Sequence, residues 1–407
     1  MPVPPILDVY VVWHPGDHDG AQVFERLQRH FHSSTYSGLV GGAVEVYSRS
    51  VGWDDAEDAP RPLVLPGGTG ASVQPALFAA VIPVLGTELR RAVEDEPRWR
   101  SYMDDVGAAG DDRVVVAPVS RDLNLNLKGS ALLRAIGALE RLPDESLDDD
   151  HPGLLERSVA QAIAQLAAGS KAPIKVFVSH AKHSSAGEDA IAHAPLFEEV
   201  RGVIANTKLA EFFDARDLQP GSDWAAELEA NAAKSALLMV RTDVYASREW
   251  TQREVLAAKR QDVPIVALVA LTEGEARGSF LMDHVPTVPL DPSNRAKSIN
   301  ASLDRLVDEA LKRALWSAQS EFMLQRGFDW APVHAPEPVT AIDWLAGHRT
   351  EQADDNHLWI IHPDPPLGPA ERQVADELCA LAGFGAKVDI LTPRSFAARG
   401  GELPHDA

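Results

Sequence analysis

Three stretches of the chain share one hydrophobic pattern. Residues 7–14 read LDVYVVWH, residues 173–180 read PIKVFVSH, and residues 357–363 read HLWIIHP. Each is a short apolar run that reaches a histidine (His14, His180, His362) and then meets small, polar or proline residues. A continuous apolar run is covered on both faces, which is the mark of a strand inside a parallel sheet. Behind each run the spacing lengthens to that of a helix, in GAQVFERLQRHF, APLFEEVRGVI and GPAERQVADELCALAG. Strands alternating with helices predict doubly wound α/β units built on parallel sheets.

Two of these units continue alike. The first runs through AVEVYS, ALFAAVIPVLG, a charged helix around Glu88 to Arg100, and DRVVVAPVS. The second runs through LAEFFDA, a helix from Trp224 to Ala233, SALLMVRT, a helix around Trp250 to Arg260, and VPIVALVA. The shared order is strand, helix, strand, strand, helix, strand, an internal repeat in pattern rather than identity. The third unit offers only strand, helix and a strand at AKVDILT. With too few strands to close a sheet, it is expected to pack on a neighbour or to continue in a longer chain. The expected domains are residues 1–141, an acidic linker and helix at 142–171, a second α/β domain at 172–325 ending in an amphipathic helix, a linker at 326–356, and a partial α/β segment at 357–407. The proline-rich stretch DWAPVHAPEPVTAIDW, at 329–344, reads as a stiff extended connector.

Composition narrows the partners. The 407 residues carry 60 acidic and 38 basic side chains, a formal net charge of −22. That surface repels phosphate backbones, so no direct nucleic-acid binding is expected. The single cysteine, Cys379, rules out an internal disulfide framework, fits a reducing compartment and reads as a helix-face filler. No apolar run approaches the roughly 20 residues that span a bilayer, and MPVPPILDVY lacks the features of a signal peptide. A cytoplasmic protein with no membrane partner is expected. The glycines of LPGGTGAS lack the spacing of a phosphate-binding motif, and the paired histidines (His14 and His18, His30 and His32, His180 and His183) carry no metal-site pattern.

Ligands of open α/β sheets bind beyond the carboxyl ends of the strands. In the second unit the first strand is followed there by Ser179, His180, Ala181 and Lys182. The second is followed by Asp214, Arg216, Leu218 and Gly221, and the third by Thr242, Tyr245, Trp250 and Glu254. Trp250 and Glu254 stand four apart, so one helical face presents both. From the residues alone, Glu254 reads as a helix-surface residue paired with Arg253 or Arg260. Arg216 suits either a phosphate or a salt bridge to Asp214 or Asp217, His180 could simply cap a strand end, and Trp224, Tyr245 and Phe213 read as core.

The motifs of the second unit resemble those of a bacterial Toll/interleukin-1 receptor (TIR) domain. VFVSHA resembles the family's first box, RDLQPGSDW its second, and YASREWTQREV the stretch with Ser, two residues, Trp, three residues and Glu. Ser235, before the third strand, also matches, and the likeness covers residues 172–275. The resemblance implies a flavodoxin-like parallel sheet, preceded by a degenerate TIR-like domain that lacks the Trp-three-Glu arrangement. It implies an NAD+ glycohydrolase that cleaves the nicotinamide–ribose bond, with linear or cyclic ADP-ribose as product, acting as an NAD-depleting effector of anti-phage immunity. Glu254 would be catalytic, and Ser179, His180, Ala181, Asp214, Arg216, Leu218, Gly221 and Trp250 would contact the NAD+. NAD+ is then substrate, and no cofactor or metal is called for. Assembly as a homo-oligomer or filament through TIR domains is implied too. The third segment resembles stretches that join TIR domains to a SLOG domain, which would place a nucleotide-sensing module outside this chain. Two other readings stay open: a non-catalytic TIR scaffold that signals by self-association, and an N-glycoside enzyme acting on nucleosides or nucleotides.

Overall fold

The computed structural model describes residues 5–36, 44–50, 60–68, 74–121, 130–137, 139–148, 152–181, 195–212, 235–325, 337–348, 358–363, 366–384 and 388–398. The chain divides into two units, Met1–Gly169 with Pro393–Ala407, and Ser170–Thr392.

The first unit contains β1 (Leu7–Val12), α1 (His18–Phe31), β2 (Glu45–Arg49), β3 (Phe78–Pro83), α2 (Thr87–Asp95), α3 (Pro97–Ala108), β4 (Val114–Val116), α4 (Ala131–Ile136) and α5 (Leu154–Ala167). Its strands pair in parallel in the order β2-β1-β3-β4. Every residue of β1 is buried, as its unbroken apolar run requires. The helix expected around Glu88 to Arg100 is two helices, because Pro97 cannot continue α2 and instead opens α3 at its first turn. Helix α5, expected in a linker, belongs to the first unit. Arg26 of α1 grips Glu156 of α5 through two N–H donors at 2.9 and 2.8 Å.

A buried acid sits in this sheet. Asp8 on β1 is 6 % exposed; its Oδ2 accepts the Tyr10 hydroxyl at 3.2 Å, and its Oδ1 has no hydrogen-bond partner among the described residues. Burial pushes its carboxyl up to about 6 from an ordinary 3.8. A carboxyl whose folded value is raised stabilises only while protonated, so its contribution is complete below about pH 4 and lost as pH rises through about 6. Asp8→Asn is therefore expected to stabilise the protein by about 2 kcal/mol at pH 7.5 and by almost nothing at pH 4. Denaturant titrations of parent and variant at the two pH values measure the difference.

The second unit contains β5 (Lys175–His180), α6 (Leu196–Ala205), β6 (Ala210–Phe212), β7 (Ser235–Arg241), α7 (Glu249–Arg260), β8 (Ile265–Val269), β9 (Thr287–Pro289), α8 (Arg295–Leu324), α9 (Pro338–His348), β10 (Leu358–Ile361), α10 (Pro369–Leu381) and β11 (Val388–Leu391). A last helix, α11 (Pro393–Ala398), is grouped with the first unit. Strands β5 to β9 form one parallel sheet in the order β6-β5-β7-β8-β9. Counted within the unit this is 2-1-3-4-5, the flavodoxin order, whose crevice opens between the first and third strands, here β5 and β7. The expected α/β class with parallel sheets is therefore what the chain adopts. The helix expected from Trp224 to Ala233 lies outside the described residues.

Two features differ from expectation. Strand β9 has only three residues, two of them exposed, so it has no apolar run to announce it. The connector expected to be extended at 329–344 carries α9, which Pro338 opens at the position where a proline's missing N–H costs nothing. Helix α9 supplies Ala341 and Leu345 to a small core with Ile360, Ala375, Cys379 and Ile390 around the parallel pair β10-β11. Cys379 is buried there, and burial pushes its thiol up to about 11, so it packs as an apolar group.

Helix α7, which carries Glu254, is sharply ended. Asp262 adopts a left-handed φ of 51°, and the Val263 N–H closes back onto the Ala258 carbonyl at 2.8 Å. Among the described residues no helix is long and apolar enough to cross a membrane.

Candidate active site

Successive residues of a strand face opposite sides of its sheet. At the carboxyl end of β5 this separates two expected site residues. Phe177 lies in the core beneath α7 with Leu237, Met239, Tyr245, Val255 and Ala258, and Ser179, two residues on, turns to the same side. His180 turns to the other side and stacks on Phe197 of α6, with ring centroids 3.9 Å apart and planes within 4°.

On the α7 side three polar groups meet inside the protein. The Ser179 hydroxyl donates to the Glu254 carboxylate and lies 2.6 Å from the Tyr245 hydroxyl. Ser179 is 1 % exposed, Glu254 2 % and Tyr245 0 %. A serine hydroxyl has one proton, and here the carboxylate takes it; the tyrosine must therefore donate to the serine oxygen. The Tyr245 hydroxyl can do so because burial, and next the charge of Glu254, hold its proton far above the ordinary tyrosine value, with the Ser179 contact opposing. The helix start is fixed by Thr251, whose hydroxyl donates to the carbonyls of Tyr245 at 2.6 Å and Arg248 at 2.9 Å.

This corrects two expectations. Glu254 is not a surface residue paired with Arg253 or Arg260: Arg253 pairs with Glu249, and Arg260 with Asp343 at 2.7 Å. Nor does Trp250 accompany Glu254 inward. It sits in the first turn of α7 and is 44 % exposed. Tyr245, expected as core, is core and also the outer member of the polar chain. Asp214, Arg216, Leu218 and Gly221 lie outside the described residues.

The first unit carries a similar spacing with apolar residues. Val12 follows VYV on β1 as Ser179 follows VFV on β5, and Met103 follows Trp99 by four as Glu254 follows Trp250. Val12 and Met103 are both fully buried and belong to one apolar core, with Trp99 beside them. Burying the polar chain of the second unit costs free energy that an apolar pair would not.

On the opposite face, His180 and Ala181 line a cleft of about 230 Å³ at the carboxyl ends of the strands, together with Phe197, Thr242, Thr272 and Arg295. His180 and Ala181 thus belong to this cleft. Its rim is held by Asp243, whose carboxylate accepts the backbone N–H groups of Thr272, Glu273 and Gly274 at 2.9, 3.0 and 3.0 Å. Arg241 and Glu275 close the same loop through two contacts of 2.8 and 2.6 Å. Sequence reasoning passed over these three. The signal for Asp243 was an acid two residues past a buried strand, facing the turn that ends at Gly274.

No family model matches this chain, and no curated protein does. Among solved structures, a protein of Silicibacter pomeroyi DSS-3 named as a phosphosugar isomerase aligns with 80% of this chain and 88% of its own. The identity is 10% and the TM-score 0.18, a likeness too slight to bear on fold or function.

Proposed function

We propose that the second unit is a TIR-type NAD+ glycohydrolase and that Glu254 is its catalytic carboxylate. The observation that carries the reading is the buried Glu254–Ser179–Tyr245 chain at the carboxyl end of β5, the strand that borders the crevice between β5 and β7. A costly buried carboxylate at a topological switch point is the kind of group that chemistry retains.

The reaction suits a lone acid. The nicotinamide of NAD+ is cationic, so the glycosidic C–N bond breaks with its electron pair passing to nicotinamide, which leaves neutral without a general acid. The ribose becomes oxocarbenium-like, as in glycoside cleavage. An ionised Glu254 stabilises that charge through space and orients the ribose hydroxyls. Water then adds to the anomeric carbon and loses its proton to the carboxylate or to solvent, giving ADP-ribose. Ser179 donates to one carboxylate oxygen and so leaves acceptor capacity for the substrate. Because the carboxylate is only 2 % exposed, substrate reaches it when the groups above it part. In this reading the protein acts in the cytoplasm as an NAD-depleting defence effector, and clustering of TIR units activates it.

One observation favours a second reading. Glu254 is almost wholly buried and already hydrogen-bonded, as it would also be in a non-catalytic interaction module. Substrate profiling separates the readings. The proposed enzyme releases nicotinamide from NAD+ and no base from AMP, adenosine or inosine. Base release from the free nucleosides would point to a broader N-glycoside hydrolase, and no turnover of any of them under clustering to a scaffold.

Tyr245 enters as a positioning residue. Tyr245→Phe removes one hydrogen bond behind Ser179, and kcat is expected to fall about tenfold with KM little changed, the equivalent of one buried hydrogen bond. Steady-state kinetics on both proteins provides the check, and an unchanged kcat would remove Tyr245 from the account.

A further inference from the structure

A second cavity, of about 380 Å³, lies within the second unit at the far end of α7 from the polar chain. Its volume is in the range of sites that enclose small organic molecules. The body of its wall is apolar, from Val263 and Ile265 where β8 begins, and from Leu367, Val374 and Leu378 on and beside α10.

In the polar part of the wall acids outnumber bases. Four carboxylates face the cavity: Asp262, Glu309, Glu337 and Glu371. Each already has a partner: Arg313 at 2.9 Å for Asp262, Arg305 at 2.7 Å and Lys312 at 3.2 Å for Glu309, Lys259 at 3.0 Å for Glu337, and the Gly368 N–H at 2.8 Å for Glu371. A carboxylate has about four acceptor positions, so each keeps capacity to accept more. Donors in the wall are committed. The Lys259 ammonium is buried and gives its protons to the Asp283 carbonyl at 2.8 Å as well as to Glu337, and the Thr340 hydroxyl donates to the Glu337 carbonyl at 3.3 Å. The cavity therefore offers an apolar body and acceptors, with His284 the one other titratable donor on its lining.

We propose that this cavity is a binding site for a small organic cation with an apolar body, such as an arylalkyl amine. The apolar part fills the space between β8 and α10, and the ammonium donates to the carboxylates at the rim. Anions, phosphate-bearing nucleotides among them, are disfavoured because they would meet four carboxylates, and the one ammonium among the described lining residues, Lys259, is already bonded. The inference stands apart from the proposed reaction, since none of the residues lining this cavity belongs to the Ser179–Tyr245–Glu254 chain.

Calorimetric titration of the full chain with phenethylamine tests it, with phenethyl alcohol and hydrocinnamate as the uncharged and anionic matches. The amine is expected to bind saturably, about tenfold or more tightly than the alcohol, which reflects one charge-assisted hydrogen bond, while hydrocinnamate does not bind. Val374→Trp fills the cavity from a position that is 46 % exposed and should weaken the amine about tenfold or more without changing the thermal melt. Should that variant fail to fold, Glu371→Lys, at an exposed rim position, should weaken it similarly. No saturable binding of the amine, equal binding of amine and hydrocinnamate, or parental affinity in the folded variant would overturn the proposal.

Discussion

Replacing Ser179 by valine, Tyr245 by phenylalanine and Glu254 by methionine together is expected to raise the stability of the second unit by about 1–4 kcal/mol and to abolish NAD+ cleavage. The reason is that well-packed apolar side chains of similar volume avoid the cost of burying a carboxylate and two hydroxyls in the core beneath α7. All three polar groups must go at once. Ser179→Ala alone would leave a buried carboxylate and a buried phenol short of a partner, at a cost of about 1–3 kcal/mol. Denaturant melts of the triple variant and of Ser179→Ala read the two signs. A triple variant less stable than the parent would mean that the polar chain holds the fold together, and the case for a functional site would weaken with it.

Glu254→Gln is expected to lower kcat for nicotinamide release about a thousandfold or more with a small change in KM. Glutamine keeps the size of the side chain and can still accept the Ser179 hydroxyl proton, so packing and the local hydrogen bond survive. What disappears is the negative charge opposite the oxocarbenium-like ribose, an interaction made chiefly in the transition state. The loss should therefore fall on kcat. A fall in kcat/KM carried mostly by KM would instead make Glu254 a binding residue, and a variant as fast as the parent would make it incidental. Circular dichroism and a melt within a few degrees of the parent would show that the variant is folded.

Much of the fold was legible because parallel strands buried on both faces have no choice but to be apolar. LDVYVV, SALLMV and VPIVALV could be strands from their composition alone, and their alternation with helix-spaced stretches set the α/β class. Edge strand β9 was not legible, since TVP buries almost nothing and pairs on one side only. Helix α9 was misread because a proline at the first helical position looks, in sequence, like a proline that forbids a helix. At the site, the spacing of Glu254 to Trp250 suggested a helix surface, and the depth of its burial was not legible. Position i and i+4 share a face, but Trp250 stands at the helix start, near solvent, and Glu254 one turn further in. The parting of Ser179 from His180 was hidden for another reason. In a run apolar on both faces, no alternation of polarity tells which residue faces which side. Tyr245 could be foreseen as core, but its hydroxyl has a partner only through Ser179, which is 66 positions away in the chain.

The central claim is that the second unit breaks the nicotinamide–ribose bond with Glu254, and the most direct test is nicotinamide release from NAD+ by the full chain at high density. Parent protein immobilised on beads, beside Glu254→Gln at equal loading, would be incubated with NAD+ and nicotinamide followed by chromatography. The account predicts steady release from the parent and about a thousandfold less from the variant. No release from the clustered parent, or equal release from both, would contradict it.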